Sequence, residues 1–219
     1  GNPAVTRQAV GDDEAAIYTA AGMCPAGDIQ FIDDQYANLD TRTVEGFDVG
    51  FFFDWGTAVG DFRLRYNGSF LTTYEQKAGG ESAILVAAQA DGLIPSNYPI
   101  DGFANLVNRD GNQDQRHTFK LSWKNGPWGA SFGGRRVGDF YQSSLTLDDG
   151  TRYNIPAMST YDGTIDYRFD HGESDTRIRF GVKNMFDERA PLADRYFGYI
   201  SDAHKDLGRN FYLDVRYRM

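Results

Sequence analysis

The sequence is poor in the residues that build disulfide-bonded or metal-bound folds. Its 219 residues include one cysteine, Cys24, and 3 histidines, so no internal disulfide can form and the ligands of a metal cluster are missing. Long apolar runs are also lacking, since the longest covers about residues 83–88 and mean hydropathy is −0.53. A transmembrane helix needs ~18 or more apolar residues. A transmembrane β-barrel stays possible, because alternating strands keep mean hydropathy low.

A basic excess is missing as well. The chain has 31 acidic and 22 basic residues, a net charge of −9 and a pI near 4.8, which argues against nucleic acid as a partner, because phosphate binding needs a basic face. No metalloprotease-type histidine pair, nucleophile elbow, phosphate loop or dinucleotide-binding glycine motif is present. Residues 148–150 lack the spaced ligands of a calcium loop. We therefore predict no enzyme activity, no cofactor and no metal site.

Helical patterns are few and short. Residues 12–21 predict a helix with three acidic residues in the first turn and Gly22 at its end, and residues 81–90 predict an alanine-rich helix that ends at Asp91. Neither is long enough to organise a domain of this size, so the fold is not helical.

Alternation of apolar and polar residues with a period of two dominates the remainder. The last strand shows it clearly, with one apolar and one polar set. The apolar set is Phe211, Leu213, Val215, Tyr217 and Met219, and the polar set is Tyr212, Asp214, Arg216 and Arg218. Residues 128–145 alternate less cleanly, and Gly133 and Gly134 predict a bulge there. The pattern predicts an all-β, antiparallel fold of seven strands, at about 29–55, 61–76, 114–125, 128–145, 157–170, 175–187 and 208–219.

The polar faces of these strands carry many arginines, which could not fill the interior of a soluble β-sandwich without ion-pair partners. They are Arg63, Arg65, Arg168, Arg177, Arg179, Arg216 and Arg218. Either these faces lie in bulk water and the aromatic faces form a core, or the aromatic faces lie in lipid and the charged faces line a wet lumen. Alternation alone does not decide between the two.

Connection lengths favour the membrane alternative. Short turns at residues 56–60, 125–127 and 171–174 alternate with long loops at residues 77–114, 146–156 and 188–207. Outer-membrane barrels have short periplasmic turns and long outside loops, whereas a sandwich has no reason to sort its connections in this way. We therefore expect the long loops, residues 77–114 in particular, to lie outside the cell.

Several segments resemble one known family, the TonB-dependent outer-membrane receptors. Residues 181–187 read Gly-Val-Lys-Asn-Met-Phe-Asp, with Pro191 after them, and are similar to the family motif G-V-x-N-L-F-D-x-x-x-P. Residues 207–213 and 216–218 resemble its closing strand, although the final Met219 replaces the usual phenylalanine.

Upstream segments carry the same resemblance. Residues 36–39, Arg42 and residues 44–49 are similar to the family pattern Y-x-N-x-x-x-x-R-x-x-G-x-E/D-L. Residues 2–5 and the helix after them resemble an outside loop of such receptors. The resemblance thus touches most of the chain.

This resemblance implies the C-terminal portion of a transmembrane β-barrel. Seven strands would leave two open edges, which lipid does not tolerate, so we expect the last third of a barrel of roughly 22 strands. Residues 1–28 would end an extracellular loop with a short helix, and residues 29–219 would hold the C-terminal strands and loops. If the first stretch instead turns at Asp40 and Thr41, eight strands could close a small barrel.

The resemblance also implies partners and a location. The partners would be the N-terminal barrel and plug portion of the same receptor, a TonB-type energy transducer reached through that portion, and the lipid bilayer with lipopolysaccharide. The location would be the outer membrane of a Gram-negative bacterium.

Candidate ligand-binding residues lie in the long loops, where aromatic and polar side chains cluster. Such side chains can stack on a ligand and hydrogen-bond to it, or pack the loops together and form an aromatic girdle. The candidates are Asp194, Arg195, Tyr196, Tyr199, Asp202, His204, Tyr141 and Tyr153.

The leading hypothesis is therefore uptake of a scarce nutrient by a TonB-dependent receptor. Ferric siderophores, vitamin-like cobalt chelates and oligosaccharides are all open as substrates. A small porin-like barrel and a soluble β-sandwich binding module are the alternatives, and an outer-membrane enzyme ranks after them.

Overall fold

A computed structural model describes residues 5–33, 40–96, 98 and 100–219. The chain divides into two compact units, residues 1–39 and residues 40–219. The motif residues 2–4 and 36–39 lie outside the described residues. Among the described residues, no helix is long and apolar enough to cross a membrane.

The first unit contains two short strands and one helix. Strand β1 (Val5–Arg7) precedes helix α1 (Asp12–Ala20) and pairs antiparallel with β2 (Ile29–Ile32). Helix α1 confirms the helix predicted over residues 12–21. The prediction of one strand over residues 29–55 is wrong at its start, because Ile29–Ile32 pairs with β1 in a separate two-stranded sheet.

The second unit holds the main sheet and one further helix. In chain order its elements are β3 (Arg42–Thr57), β4 (Gly60–Gln76), α2 (Gly80–Ala90), β5 (Ala104–Asn105), β6 (Gln115–Asn125), β7 (Trp128–Val137), β8 (Phe140–Thr146), β9 (Arg152–Ile155), β10 (Met158–Asp170), β11 (Asp175–Lys183) and β12 (Asn210–Arg218).

Seven long strands form one antiparallel sheet in the order β3-β4-β6-β7-β10-β11-β12, with the two-residue β5 beside β4. Apart from the short β5 and the pair β8 and β9, which forms its own sheet, each strand pairs with the next one along the chain. This confirms the all-β, antiparallel prediction and its seven strands. The sheet is not closed, since β3 and β12 each have one neighbour and form its two edges.

The strand predicted over residues 128–145 ends earlier than expected. Val137 is the last residue of β7 that pairs with both neighbours, opposite Arg116 on β6 and Met158 on β10. The chain then leaves the sheet, and Phe140 is buried among the loops with 1% of its surface exposed. Burial of that side chain requires the chain to leave the plane of the sheet, so residues 140–146 form β8 of a separate hairpin.

The bulge predicted at Gly133 and Gly134 is wrong as well, because the register of β7 runs through both glycines without a shift. A Cβ atom at Gly134 would collide with the ring of Phe119 and come within 3.0 Å of the Tyr161 ring. Glycine here makes room for aromatic rings on neighbouring strands. The register shift in the sheet lies instead between β3 and β4, where Glu45 pairs with Thr73 and Gly46 with Leu71, so that Thr72 of β4 is the extra residue.

The register gives the sheet one apolar and one polar face. Phe53, Leu64, Leu121, Phe132, Gly163 and Val182 occupy one cross-strand row that ends at Phe211. The next row consists of Asp54, Arg63, Ser122, Ser131, Thr164, Gly181 and Tyr212. Because side chains alternate along every strand, the two rows point to opposite sides. All seven strands agree in this alternation.

The apolar face is not a covered core within the described residues. On β12, Phe211, Leu213 and Val215 expose 61%, 67% and 61% of their surface. The buried hydrophobic cluster is small and lies at the loop end of the sheet: Val137, Phe140, Ile155, Ile200 and Ala203. A soluble sandwich would bury its aromatic face, so this packing speaks against that alternative.

The three tight turns lie together at the end of the sheet opposite the loops. Thr57 pairs with Gly60, Asn125 with Trp128, and Asp170 with Asp175. The turn of β3 and β4 depends on glycine, because Gly60 has φ +122°. A Cβ atom at Gly60 would meet the Lys124 carbonyl and would lie 2.8 Å from Trp123 Nε1.

Replacing Gly60 by asparagine is expected to lower the free energy of unfolding by about 1–3 kcal/mol, through backbone strain and collision with β6. The matched control is Gly126→Asn, since Gly126 has φ +53° and open space around it, and asparagine tolerates that left-handed conformation. Chemical unfolding of the full-length protein measures both variants. Equal unfolding midpoints for the two would contradict this account of the turn.

Candidate functional site

Three long connections meet at the loop end of the sheet. We call them the first loop (residues 77–114), the second loop (residues 138–157) and the third loop (residues 184–209). The first carries α2 and β5, and the second carries the hairpin of β8 and β9. Since all three begin where strands of one sheet end, their contacts define the surface that this end presents.

The first and second loops are joined through Asp110. Its backbone N–H donates to the Tyr141 carbonyl at 2.9 Å, and its carboxylate accepts hydrogen bonds from the Ser143 N–H at 2.9 Å and the Ser143 hydroxyl at 2.6 Å. Arg109 bonds the same carboxylate at 3.2 Å and also pairs with Asp101. Burial raises the pKa of Asp110, but the bonds from Ser143 and Arg109 outweigh it and leave that pKa below its usual value.

The second and third loops are joined by Gln142, a fully buried side chain. Its amide N–H₂ donates to the Asp194 carbonyl at 2.8 Å, and its amide oxygen accepts from the Asp194 N–H at 2.9 Å. Gln142 thereby satisfies the hydrogen-bonding capacity of both the backbone N–H and the carbonyl of Asp194, as a neighbouring strand would. Loss of this side chain would leave two polar groups without partners, each at a cost of roughly 1–3 kcal/mol where buried.

Apolar contacts reinforce this junction. Phe140 and Ile155 of the second loop pack with Ile200 and Ala203 of the third, and the Tyr153 hydroxyl donates to the Leu192 carbonyl at 3.1 Å. We call Phe140, Ile155, Ile200, Ala203 and His204 the loop core. It holds the second and third loops in one arrangement.

His204 is the unusual member of the loop core. Its ring stacks on Phe140 with centroids 5.7 Å apart, it is 2% exposed, and neither ring nitrogen has a hydrogen-bond partner among the residues that the structure describes. Burial lowers the pKa of His204, and the nearby charges of Arg135 and Arg116 lower it further. The imidazole is therefore neutral at pH 7 and packs as an aromatic ring.

The eight residues predicted as ligand-binding fall into two groups of four. Asp194, Tyr141, Tyr153 and His204 make contacts between the loops. For Tyr141 this contact is its carbonyl, which accepts the Asp110 N–H, while its ring lies under the Arg152 guanidinium at 4.5 Å. Arg195, Tyr196, Tyr199 and Asp202 lie in the stretch 195–202, which we call the third-loop tip.

The third-loop tip presents aromatic side chains to solvent. Tyr196 is 96% exposed and stands edge-on to Phe197 with ring centroids 5.0 Å apart, and Phe197 lies 6.3 Å from Tyr199. Arg195 and Asp202 flank these rings and are exposed. The tip thus offers stacking surfaces and charged groups for a ligand. Binding by these residues stays a prediction.

Sequence reasoning missed the residues that fix the loops. Gln142 and Asp110 are polar residues in loop segments, where their pairing with distant backbone has no local signature, and Arg109 bonds the Asp110 side chain. Phe140 could have been found, as a bulky aromatic residue just after Gly138, but its partner His204 is 64 positions away. In the described ranges, no three His, Cys, Asp or Glu side chains are grouped closely enough to hold a metal ion.

The loop core is expected to weaken as pH falls below about 6.5, the usual histidine pKa. Because the pKa of His204 is lowered in the folded loops, the unfolded state binds more protons between the folded and unfolded pKa values. Stability therefore rises with pH in that window and is lost as pH falls through it. Amide hydrogen exchange of residues 138–157 at pH 7.5 and pH 5 measures the effect.

Two histidine variants test the assignment to His204. His204→Phe keeps an aromatic ring and should remove the pH dependence, whereas His171→Gln, in an exposed turn, should leave it unchanged. An equal pH dependence in His204→Phe would show that another group is responsible.

Comparison with known proteins agrees with this architecture. No curated protein matches the chain. A family model does match: the TonB dependent receptor-like β-barrel aligns with residues 6–185, which include six of the seven long strands and most of the loops described above. The chain belongs to the TonB-dependent receptor family, as part of its β-barrel.

Proposed function

We propose that this chain forms the C-terminal portion of a TonB-dependent receptor that takes up a nutrient across the outer membrane. Members of the family are transporters of the Gram-negative outer membrane, not enzymes. The observation that carries the proposal is the open antiparallel sheet, with an exposed apolar face, a charged opposite face and all its long loops at one end.

In this proposal the apolar face contacts lipid and the polar face lines the lumen. Rings such as Phe51, Phe180 and Phe211 are about half exposed or more, and no described segment covers them. The polar face carries arginine on β4, β6, β7, β10, β11 and β12. Charged side chains are costly toward lipid but compatible with a wet lumen, so the charge distribution supports an outward apolar face.

Further strands of the same receptor would close the barrel between β3 and β12. Each edge strand presents a row of unpaired backbone groups, and each such group costs several kcal/mol in lipid. The eight-stranded alternative needs residues 29–39 to extend the sheet beyond β3, whereas Ile29–Ile32 pairs with β1. A barrel of roughly 22 strands, with a plug in its lumen, fits better.

Capture of the substrate would take place at the third-loop tip, outside the cell. Tyr196 and Tyr199 offer rings for stacking, and Arg195 and Asp202 offer charged groups. The loop core behind them fixes the tip, which limits the entropy lost on binding. Movement of the plug, driven by a TonB-type transducer, would then open the path through the lumen. Residues 1–28 would belong to an extracellular loop.

Introducing arginine on the apolar face tests the orientation of the sheet. Val215→Arg should lower the free energy of unfolding in bilayers by about 2–4 kcal/mol at the midplane and less toward the interfaces. The control is Asn67→Arg on the polar face of β4, opposite Thr118, where a wet lumen accepts the charge. The full-length receptor, refolded into vesicles over a urea series, gives both values. Unchanged stability in Val215→Arg would reverse the assignment.

Uptake by cells tests the function. Cells lacking the receptor should lose uptake of a ferric siderophore, a cobalt chelate or an oligosaccharide, each supplied with a radioactive label, and the full-length receptor should restore it only while the inner membrane is energised.

The double variant Arg195→Ala and Tyr196→Ala should weaken binding about tenfold, or ~1.4 kcal/mol. The control is Tyr217→Ala, at the opposite end of the sheet. Uptake that continues without energy would indicate a porin.

A further inference from the structure

The polar face of the sheet is basic although the chain as a whole is acidic. Apart from the end of β3 beyond the register shift at Glu45 and Gly46, twelve basic and eight acidic side chains project from it, against a net charge of −9 for the sequence. The basic residues are Arg63, Arg65, Arg116, Lys120, Lys124, Arg135, Arg168, Arg177, Arg179, Lys183, Arg216 and Arg218. The acidic residues are Asp48, Asp54, Asp61, Asp162, Asp166, Asp170, Asp175 and Asp214.

Like charges stand directly opposite one another in the turn half of this face. Arg168 lies opposite Arg177, which lies opposite Arg216, so three arginines cross three adjacent strands in one row. Arg65 lies opposite Lys120 in the same way. Directly opposed like charges destabilise a sheet, so these rows need negative charge from elsewhere.

The sheet supplies only part of that negative charge. Asp166 accepts two bonds from Arg177, at 2.8 and 2.7 Å, and lies 3.7 Å from Arg179. Asp54 accepts one bond from Arg63 at 2.8 Å. Five cations of the turn half have no hydrogen-bond or ion-pair partner in the part of the chain that the structure describes: Arg65, Lys120, Lys124, Arg168 and Arg216.

Four of these five unpaired cations line two adjoining grooves. One groove, of about 640 Å³, is lined by Arg63, Arg65, Lys120 and Lys124, with Asp54 and Asp61 as its carboxylates. The other, of about 350 Å³, contains Lys120, Lys124, Arg168, Arg177 and Arg179, with Asp166 as its one carboxylate. Hydroxyl groups lie between the charges of the second groove, where Ser131 and Thr164 bond each other at 2.7 Å. We call the two together the basic grooves.

We propose that the basic grooves are the docking surface for an acidic segment of the plug, that is, of the polypeptide that fills the lumen in the proposed receptor. This inference rests on the proposed function. The unpaired cations extend over six adjacent strands, β4 to β12, at ~4.8 Å per strand. A patch of that width matches an extended segment with several carboxylates better than one small anion.

The position of the grooves supports a polypeptide occupant. They lie beside the tight turns, at the end of the sheet opposite the third-loop tip. The basic grooves are also open on one side, so the sheet supplies only half of a binding site. A lumen-filling domain supplies the other half and excludes water, which strengthens each pairing of arginine or lysine with a carboxylate.

Photo-crosslinking in the full-length receptor identifies the occupant. A benzophenone amino acid replaces Ser122, a groove residue between Lys120 and Lys124, and the crosslinked peptide is identified by mass spectrometry. A plug peptide with two or more Asp or Glu residues is expected. A second position, Asn67, lies on the same face of β4 outside the grooves and reports whether the lumen is filled at all.

Charge reversal gives an independent measurement. Lys120→Glu with Lys124→Glu should reduce the Ser122 crosslink at least tenfold and make the plug more sensitive to protease. The control, Lys77→Glu with Lys205→Glu, makes the same charge change in the loops. Since a reversed pair could impair folding, the milder Lys120→Gln with Lys124→Gln should give an intermediate loss.

The outcomes separate this inference from the proposed function. A crosslink to a segment without acidic residues, or a yield unaffected by charge reversal, overturns the inference. A third result also overturns it: crosslinking at Asn67 alone, together with a change in tryptophan fluorescence when inorganic phosphate is added. That result would make a small anion the occupant of the grooves. Absence of crosslinks at both positions would show an empty lumen and overturn the proposed function itself.

Discussion

The whole arrangement depends on backbone pairing in a continuous antiparallel ladder. Each of the seven long strands pairs with its neighbour over most of its length, from the pairs of β3 with β4 to those of β11 with β12. In lipid no water can replace these bonds. Pairing therefore fixes the register, and the register fixes which side chains share a face. A slip by one residue would turn charged side chains onto the apolar face.

The conventional hydrophobic core of this chain lies in its loops. Phe140, Ile155 and Ile200 are buried at the loop end of the sheet, while the rings on the strands are largely exposed. Polar side chains complete the loop junctions, with Gln142 on the backbone of Asp194 and Asp110 on Ser143. The loops are thus preorganised by a small core of their own, and the third-loop tip projects from a fixed base.

Charge is distributed in relation to this geometry. The net acidity of the chain arises outside the polar face of the sheet, whose turn half is rich in arginine and lysine. Opposed like charges, such as Arg168 and Arg177, persist in a folded sheet only where other groups compensate them. Asp166 compensates one arginine of that row. In the proposed receptor, the remaining cations would be compensated by the polypeptide that fills the lumen.

The sequence determined the strands, their alternation and the separation of turns from loops, because a period of two and clustered glycines are local signals. It also identified the family, through motifs such as residues 181–187, and both helices. Tertiary structure decided the rest. Only three-dimensional packing showed that β7 ends at Val137, that Gly134 makes room for aromatic rings, and that Ile29–Ile32 pairs with β1. Gln142 and His204 meet their partners across 52 and 64 positions, and no local pattern encodes contacts made over such separations.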